Sequence, residues 1–216
     1  DPTSFADAIA VLGKYSITEP AAVIRHLERG AEETPKPGDP RLAGAETTLI
    51  AAPAMALAAA AAAAREAGYE PAILGDALEG EARDVAAEHA ALALCHADKK
   101  EKVAILSGGE LTVTRRGDGI GGPNAEFILA LALALKGAPG IHALACDTDG
   151  VDGAAEVAGA LIGPGSLRGH EEAAAKALAE NDAHGFFGRI GAQVVTGPTL
   201  TNVNDFRAIW VEPRPA

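Results

Sequence analysis

The stretch IHALACDTDGVDG, Ile141 to Gly153, decides the reading of this chain. An apolar run ends at Cys146, and the next seven residues hold three carboxylates and two glycines. A buried strand that empties into acids and glycines ends, in α/β proteins, at the crevice where ligands bind. Two further glycine-rich loops lie upstream. SGGE (Ser107 to Glu110) follows the apolar run Val103 to Leu106, and GDGIGGPN (Gly117 to Asn124) opens an apolar helical stretch. Thirteen of the 25 glycines fall between Gly108 and Gly165, so backbone freedom is concentrated where the chain bends sharply or approaches a ligand closely. The pattern points to an enzyme or a small-molecule binder.

Outward from these loops, strand and helix patterns alternate. TTLIAAP from Thr47, PAILG from Pro71, VAILSGG from Val103, IHALACD, QVVTG from Gln193 and DFRAIWVEP from Asp205 read as strands. Helices are expected over Ala54–Ala67, Leu78–Leu94, Pro123–Lys136 and Glu171–Glu180. The seven alanines from Ala58 to Ala64 give the first of these a thin face that can lie close to a sheet. LTVTRR, Leu111 to Arg116, alternates apolar and polar residues and is expected to pair with VAILSGG as an antiparallel hairpin. The fold class expected is α/β, a three-layer α/β/α sandwich with a mixed, mostly parallel sheet. Two short helices, Phe5 onward and Pro20–Arg29, come first. The Pro- and Gly-rich segment Gly30 to Arg41 then marks a boundary, with residues 1–43 before it and 44–216 after.

Composition narrows the function classes. A net charge of −12 supplies no basic field for nucleic acid or an anionic membrane, so neither is expected as a partner. No apolar stretch has the character of a membrane span, and no signal peptide is visible. Cys95 and Cys146, both in apolar surroundings, read as reduced and buried, which suggests a cytoplasmic protein. The chain opens at Asp1 without an initiator Met, so it is expected to be a piece of something longer.

Each motif admits a chemical and a plain reading. SGGE is an anion cradle or a hairpin turn, with Glu110 at its rim. Gly117, Gly119 and Gly122 match GxGxxG, but the alternating segment before them suits a dinucleotide strand poorly. The start of the following helix at Pro123 could hold an anion on its free N–H groups. Asp147, Asp149 and Asp152 suggest a hard cation such as Mg²⁺, with spacing wrong for an EF-hand, or else an Asp-rich turn. Thr196 to Asp205 is a polar binding loop or a turn. The six histidines are scattered and read as structural or exposed.

Taken together, SGGELTVT, GIGGPNAEFILALALAL, ALACDTDGVDGAAEVAGA and TGPTLTNVNDFRAIW resemble the MOFRL domain of bacterial glycerate kinases, a class also labelled hydroxypyruvate reductase. ETPKPGD (Glu33 to Asp39) and LGDALEGEARDVA (Leu74 to Ala86) are similar to that family too, so the resemblance runs over nearly the whole chain. The family's enzymes are longer, and the chain looks like their C-terminal half. On that reading residues 1–43 are the end of the missing N-terminal domain, and about 102–213 are the MOFRL region. The resemblance implies ATP-dependent phosphorylation of D-glycerate to 2-phosphoglycerate with Mg²⁺, in the cleft between two α/β domains. It also implies a place in tartrate metabolism. The missing half, which carries the family's catalytic lysine, is the expected partner, and a homodimer is possible. Asp147, Asp149 and Glu110 are the candidate catalytic acids. Ser107, Gly108, Gly109, Gly121, Gly122, Asn124 and Glu126 are candidates to hold phosphate or the glycerate carboxylate. Thr199, Thr201, Asn202 and Asn204 would form the opposite rim, and Asp147, Asp149 and Asp152 the metal site. Family members usually carry an arginine where Ile120 or Pro123 stands here, to help hold the transferring phosphoryl group. This chain has neither. The rival readings are an NAD(P)H-dependent hydroxypyruvate reductase and a non-catalytic fragment.

Overall fold

A computed structural model describes residues 2–213, within two compact units, 1–49 and 50–216. In the first, α1 (Phe5–Lys14) starts with a reciprocal capping box: Asp7 N–H donates to the Ser4 hydroxyl, and the Asp7 carboxylate accepts from Ser4 N–H. α2 (Ala21–Arg29) stops at Gly30, left-handed at φ 64°. The Pro/Gly-rich segment is ordered by Glu33, whose carboxylate accepts the Phe5 N–H at 2.7 Å and a bond from Lys36. Those bonds pull the Glu33 carboxyl down to about 2. A 3₁₀ turn, Pro40–Leu42, follows.

The second unit runs α3 (Pro53–Glu66), β1 (Glu70–Leu78), α4 (Ala82–Asp98), β2 (Val103–Gly109), α5 (Pro123–Leu135), β3 (Ile141–Asp147), β4 (Gly159–Ile162), α6 (Glu171–Ala179), α7 (Ala183–Ile190), β5 (Gln193–Val194) and β6 (Asp205–Val211). The strands form one mixed sheet in the order β1-β2-β6-β3-β4-β5. Strand alternation divides the side chains between two faces. Leu106 and Ala208 meet Leu57 and Ala61 of α3, the alanine-rich helix, which forms one outer layer. Ile105, Ile209 and Ala143 belong to the main core with α4, α5, α6 and α7. α5 is apolar nearly all round, as a helix enclosed by neighbours must be, and ten of its 13 residues are buried.

The α/β sandwich and mixed sheet are as expected, but the sheet is not mostly parallel. Only β1 and β2 run parallel, and the other four pairings are antiparallel. The cause is β6, the last strand, which inserts between β2 and β3 and runs against both. That insertion also rules out the VAILSGG–LTVTRR hairpin. β2 has β1 on one side and β6 on the other, so it has no free edge. Leu111–Arg116 instead crosses to Glu81: Thr112 bridges it, and Thr114 N–H donates to its carboxylate at 3.0 Å. TTLIAAP forms no strand; Leu49 and Ile50 are 71% and 84% exposed. β4 and α7 had no counterpart in the sequence reading.

Candidate functional site

Strand register builds the site. Gly109 of β2 pairs with Asp205 of β6, and Asp205 pairs with Asp147 of β3. The carboxyl ends of β2 and β3 and the start of β6 therefore lie side by side. SGGE is thus a strand end rather than a hairpin turn. Gly109 needs its glycine: at φ 104°, a Cβ there would sit 2.1 Å from the Leu78 nitrogen.

Ser107, Asn124 and Asp147 converge at this edge, but the first two lie inside the protein. Ser107 is 1% exposed; its hydroxyl meets His89 Nε2 at 3.1 Å and accepts from Arg207 Nε at 3.3 Å. Arg207 also donates to the Gly108 carbonyl at 2.6 Å and pairs with Asp205 at 3.0 Å. Burial pushes the Asp205 carboxyl up and the Arg207 guanidinium and His89 imidazole down. Asn124 donates from Nδ2 to Asp205 at 2.7 Å and to Asp152 at 3.3 Å, while its Oδ1 is buried without a partner. The Ser107 hydroxyl and the Asn124 amide nitrogen are thus occupied within the fold.

Asp152 departs most from expectation. Its carboxylate accepts the N–H groups of Asn124 at 3.0 Å and Ala125 at 2.8 Å, and it meets His184 Nε2 at 3.0 Å. It caps the start of α5 from a distant loop, because Gly122 at the N-cap position has no side chain to do so. The helix start therefore already holds its anion, and Asp152 is not free for a metal. Among the described residues no group of three or more His, Cys, Asp or Glu could hold a metal ion. Glu126 is likewise engaged: Arg83 pairs with one oxygen and Asn181 Nδ2 donates to the other at 2.9 Å. These bonds tie α5 to α4 and to the residues after α6.

The remaining acids form an open rim. Asp147 is half-buried and accepts Asp149 N–H at 3.0 Å. Desolvation, then the neighbouring Asp149 and Asp205 charges, push its carboxyl up to about 6 against that hydrogen bond. Asp149 accepts from Val151 N–H at 2.8 Å and from Asn202 Nδ2 at 3.1 Å. The 199–204 segment lies along the acid loop: Thr199 N–H donates to the Asp149 carbonyl at 3.1 Å, and the Thr148 hydroxyl donates to the Asn204 carbonyl at 2.8 Å. Thr199, Thr201, Asn202 and Asn204 are all exposed there, as is Glu110 beyond β2. Asp147 and Asp149 are the donor set left for a cation, and two carboxylates suit a Mg²⁺ that keeps waters and phosphate oxygens as its other ligands.

The third glycine loop packs on the residues after α6. A Cβ on Gly117 or Gly119 would come within about 2.5–2.6 Å of Glu180 or Asp182 backbone. Its far end, with Arg115, Ile120, Gly153 and Ala154, lines a cavity of about 430 Å³. No strand precedes it, so the GxGxxG match lacks the setting a dinucleotide fingerprint requires. Asp205, Arg207, His89 and His184 hold these loops together. The sequence offered one hint of the first two, an Asp-x-Arg opening an otherwise apolar strand.

The domain is a mixed α/β sandwich in which the strand ends at Gly109, Asp147 and Asp205 lie side by side. Residues 103–205 match the MOFRL family. A protein of Agrobacterium vitis named as a hydroxypyruvate reductase is 51% identical over 98% of this chain and 49% of its own length. The D-glycerate 2-kinase of Thermotoga maritima is 33% identical over 95% of the chain and 49% of its length. The crystal structure of a glycerate kinase from the same organism superposes with a TM-score of 0.84 at 31% identity, covering 98% of this chain and 51% of that one. The chain spans about half the length of the curated relatives it matches. Among the described residues no helix is long and apolar enough to cross a membrane.

Proposed function

We propose that this chain is the C-terminal, MOFRL-bearing half of an ATP-dependent kinase that phosphorylates D-glycerate to 2-phosphoglycerate. The observation that carries this reading is the alignment of Gly109, Asp205 and Asp147 across three strands, with the Thr/Asn loop on one side and the glycine loop joined through Asn124 and Asp152. Phosphoryl transfer needs alignment and charge neutralisation more than covalent chemistry. A carboxyl near 6, as at Asp147, suits a base that accepts the glycerate hydroxyl proton close to neutral pH. With Asp147 as the base, Mg²⁺ held through Asp149, with waters and phosphate oxygens as its other ligands, would neutralise phosphate charge. Thr199, Thr201, Asn202 and Asn204 would hydrogen-bond the glycerate oxygens. Ser107, Asn124 and Glu126 act from inside the fold, positioning the loops. The other wall of the cleft would come from the N-terminal half of the same polypeptide.

The test is ADP release from a polypeptide holding both halves, given ATP, Mg²⁺ and D-glycerate. Asp147→Asn is expected to lower turnover roughly a hundredfold. Near-normal turnover would remove Asp147 from the mechanism. The name of the 51% identical relative favours the reductase alternative, whereas the missing strand before Gly117 speaks against it. NADH consumption with hydroxypyruvate, without ADP release, would replace the kinase reading.

A further inference from the structure

Leu200 is the most exposed large apolar side chain among the described residues, at 97%. A lone exposed leucine needs no explanation. This one also has a left-handed backbone, φ 61°, which residues with a side chain rarely adopt. Its turn is held in that shape from the acid loop. The Thr199 hydroxyl donates to the Thr148 carbonyl at 2.5 Å, Thr199 N–H to the Asp149 carbonyl at 3.1 Å, and Asn202 Nδ2 to the Asp149 carboxylate at 3.1 Å. Backbone strain enforced by its surroundings is characteristic of functional sites. Two more exposed apolar residues sit on the same pair of loops, Val151 at 40% and Val195 at 67%. The loops press together there too, since a Cβ on Gly150 would lie 2.3 Å from the Gly197 carbonyl oxygen.

We propose that Leu200 is the apolar anchor on which the facing wall of the cleft docks, and that this wall is the N-terminal half of the same polypeptide. The turn is bonded to the acid loop, so whatever covers Leu200 stands beside Asp149. A second copy of this chain in that place would block the rim, whereas the facing wall of a cleft has to stand there. The chain spans 49% of the Thermotoga maritima D-glycerate 2-kinase and 51% of the superposed glycerate kinase chain, so those relatives carry about as much polypeptide again outside the matched part. Docking would bury Leu200 and drive water from beside Thr199 and Thr201, the residues proposed to hold the glycerate oxygens. Excluding water there protects the phosphoryl donor from hydrolysis. The inference rests on the kinase reading for the identity of the facing wall.

Hydroxyl-radical footprinting, read by peptide mass spectrometry, reports the exposure of the native Leu200 side chain. In the 216-residue chain Leu200 should be oxidised fast, with or without ATP and D-glycerate. In a polypeptide holding both halves it should be oxidised roughly tenfold more slowly, as a desolvated anchor is. Leu200→Gly relieves the left-handed strain and should leave the urea midpoint of the 216-residue chain where it was. In the complete polypeptide the same variant should lower kcat/KM for D-glycerate roughly tenfold, the effect of losing one buried leucine. Leu200→Met should retain most of the parental value. Leu200→Asn, polar but at ease in the left-handed region, should lose as much as the glycine variant. Equal oxidation of Leu200 in both proteins, or its protection by ATP and D-glycerate in the 216-residue chain, would overturn the proposal. So would a Leu200→Asn variant with parental kcat/KM. Protection of Leu200 in a complete polypeptide without kinase turnover would sink the kinase reading alone. Kinase turnover with Leu200 still exposed would sink this proposal alone.

Discussion

At the scale of single residues, burial rather than sequence position sorts the polar groups. Cys146 sits one residue before Asp147 on β3, and its thiol is pushed up to about 11 by desolvation first, then by the charges of Asp147, Asp205 and Asp152. Only the thiolate reacts with an alkylating agent, so at pH 8 an ordinary exposed thiol should be modified ~100-fold faster than this one. Iodoacetamide labelling followed by peptide mass mapping should therefore mark Cys95, which is exposed, well before Cys146. Equal rates would show that the carboxylates do not reach Cys146. The stability linkage has a definite sign: a raised thiol favours the folded state below the unfolded thiol value and loses that contribution as pH climbs through about 11. The same sorting explains which site residues were legible in sequence. Asp147, Asp149, Asn202 and Asn204 stand together on the rim, because acids and amides after a strand have little else to do. Ser107, Asn124, Glu126 and Asp152 look no different on paper, yet their polar groups are engaged by Arg207, Asp205, Arg83 and His184. Nothing local in the sequence announces a partner on another strand or helix.

At the scale of elements, α5 shows how a loop and a helix can depend on one another. Its N-cap position is Gly122, where a Cβ would come within 2.4 Å of the Asp152 carboxylate carbon. The glycine makes room for a carboxylate that reaches in from the loop after β3 and takes the first helical N–H groups, a position the helix dipole also favours. Asp152→Ala should leave two buried N–H groups and His184 without their acceptor, costing about 2–4 kcal/mol. Urea unfolding of this variant beside Asp149→Ala separates the two roles, since Asp149 lies on the rim and its loss should cost under about 1 kcal/mol. Equal midpoints would mean that Asp152 caps nothing. Elements with a strong local signature were read correctly from sequence, among them α5 and the alanine-rich α3. LTVTRR failed because its alternation is a strand signal that only a free sheet edge can satisfy, and β6 removes that edge. β4, four residues long, and α7, with two glycines in eight residues, have too little periodicity to announce themselves.

At the scale of the whole molecule, the two units differ in what holds them. Among the described residues, all six strands and every buried apolar side chain, from Leu57 to Val211, belong to residues 50–216. The first unit buries no residue in α1, α2 or its 3₁₀ turn, and leaves Val11, Tyr15 and Val23 about half or more exposed. Its order rests on caps and on part-buried or exposed bonds such as those at Glu33, each contributing modestly. Below about 40–50 residues a chain without a sizeable core rarely folds by itself. A fragment of residues 50–213 should therefore unfold in one cooperative urea transition with near-native helical circular dichroism, whereas residues 1–49 alone should show no cooperative transition. Cooperative melting of the short fragment would mean that its helices carry their own core. Loss of cooperativity in the long one would mean that the sheet needs the first 49 residues, contrary to the location of its buried side chains.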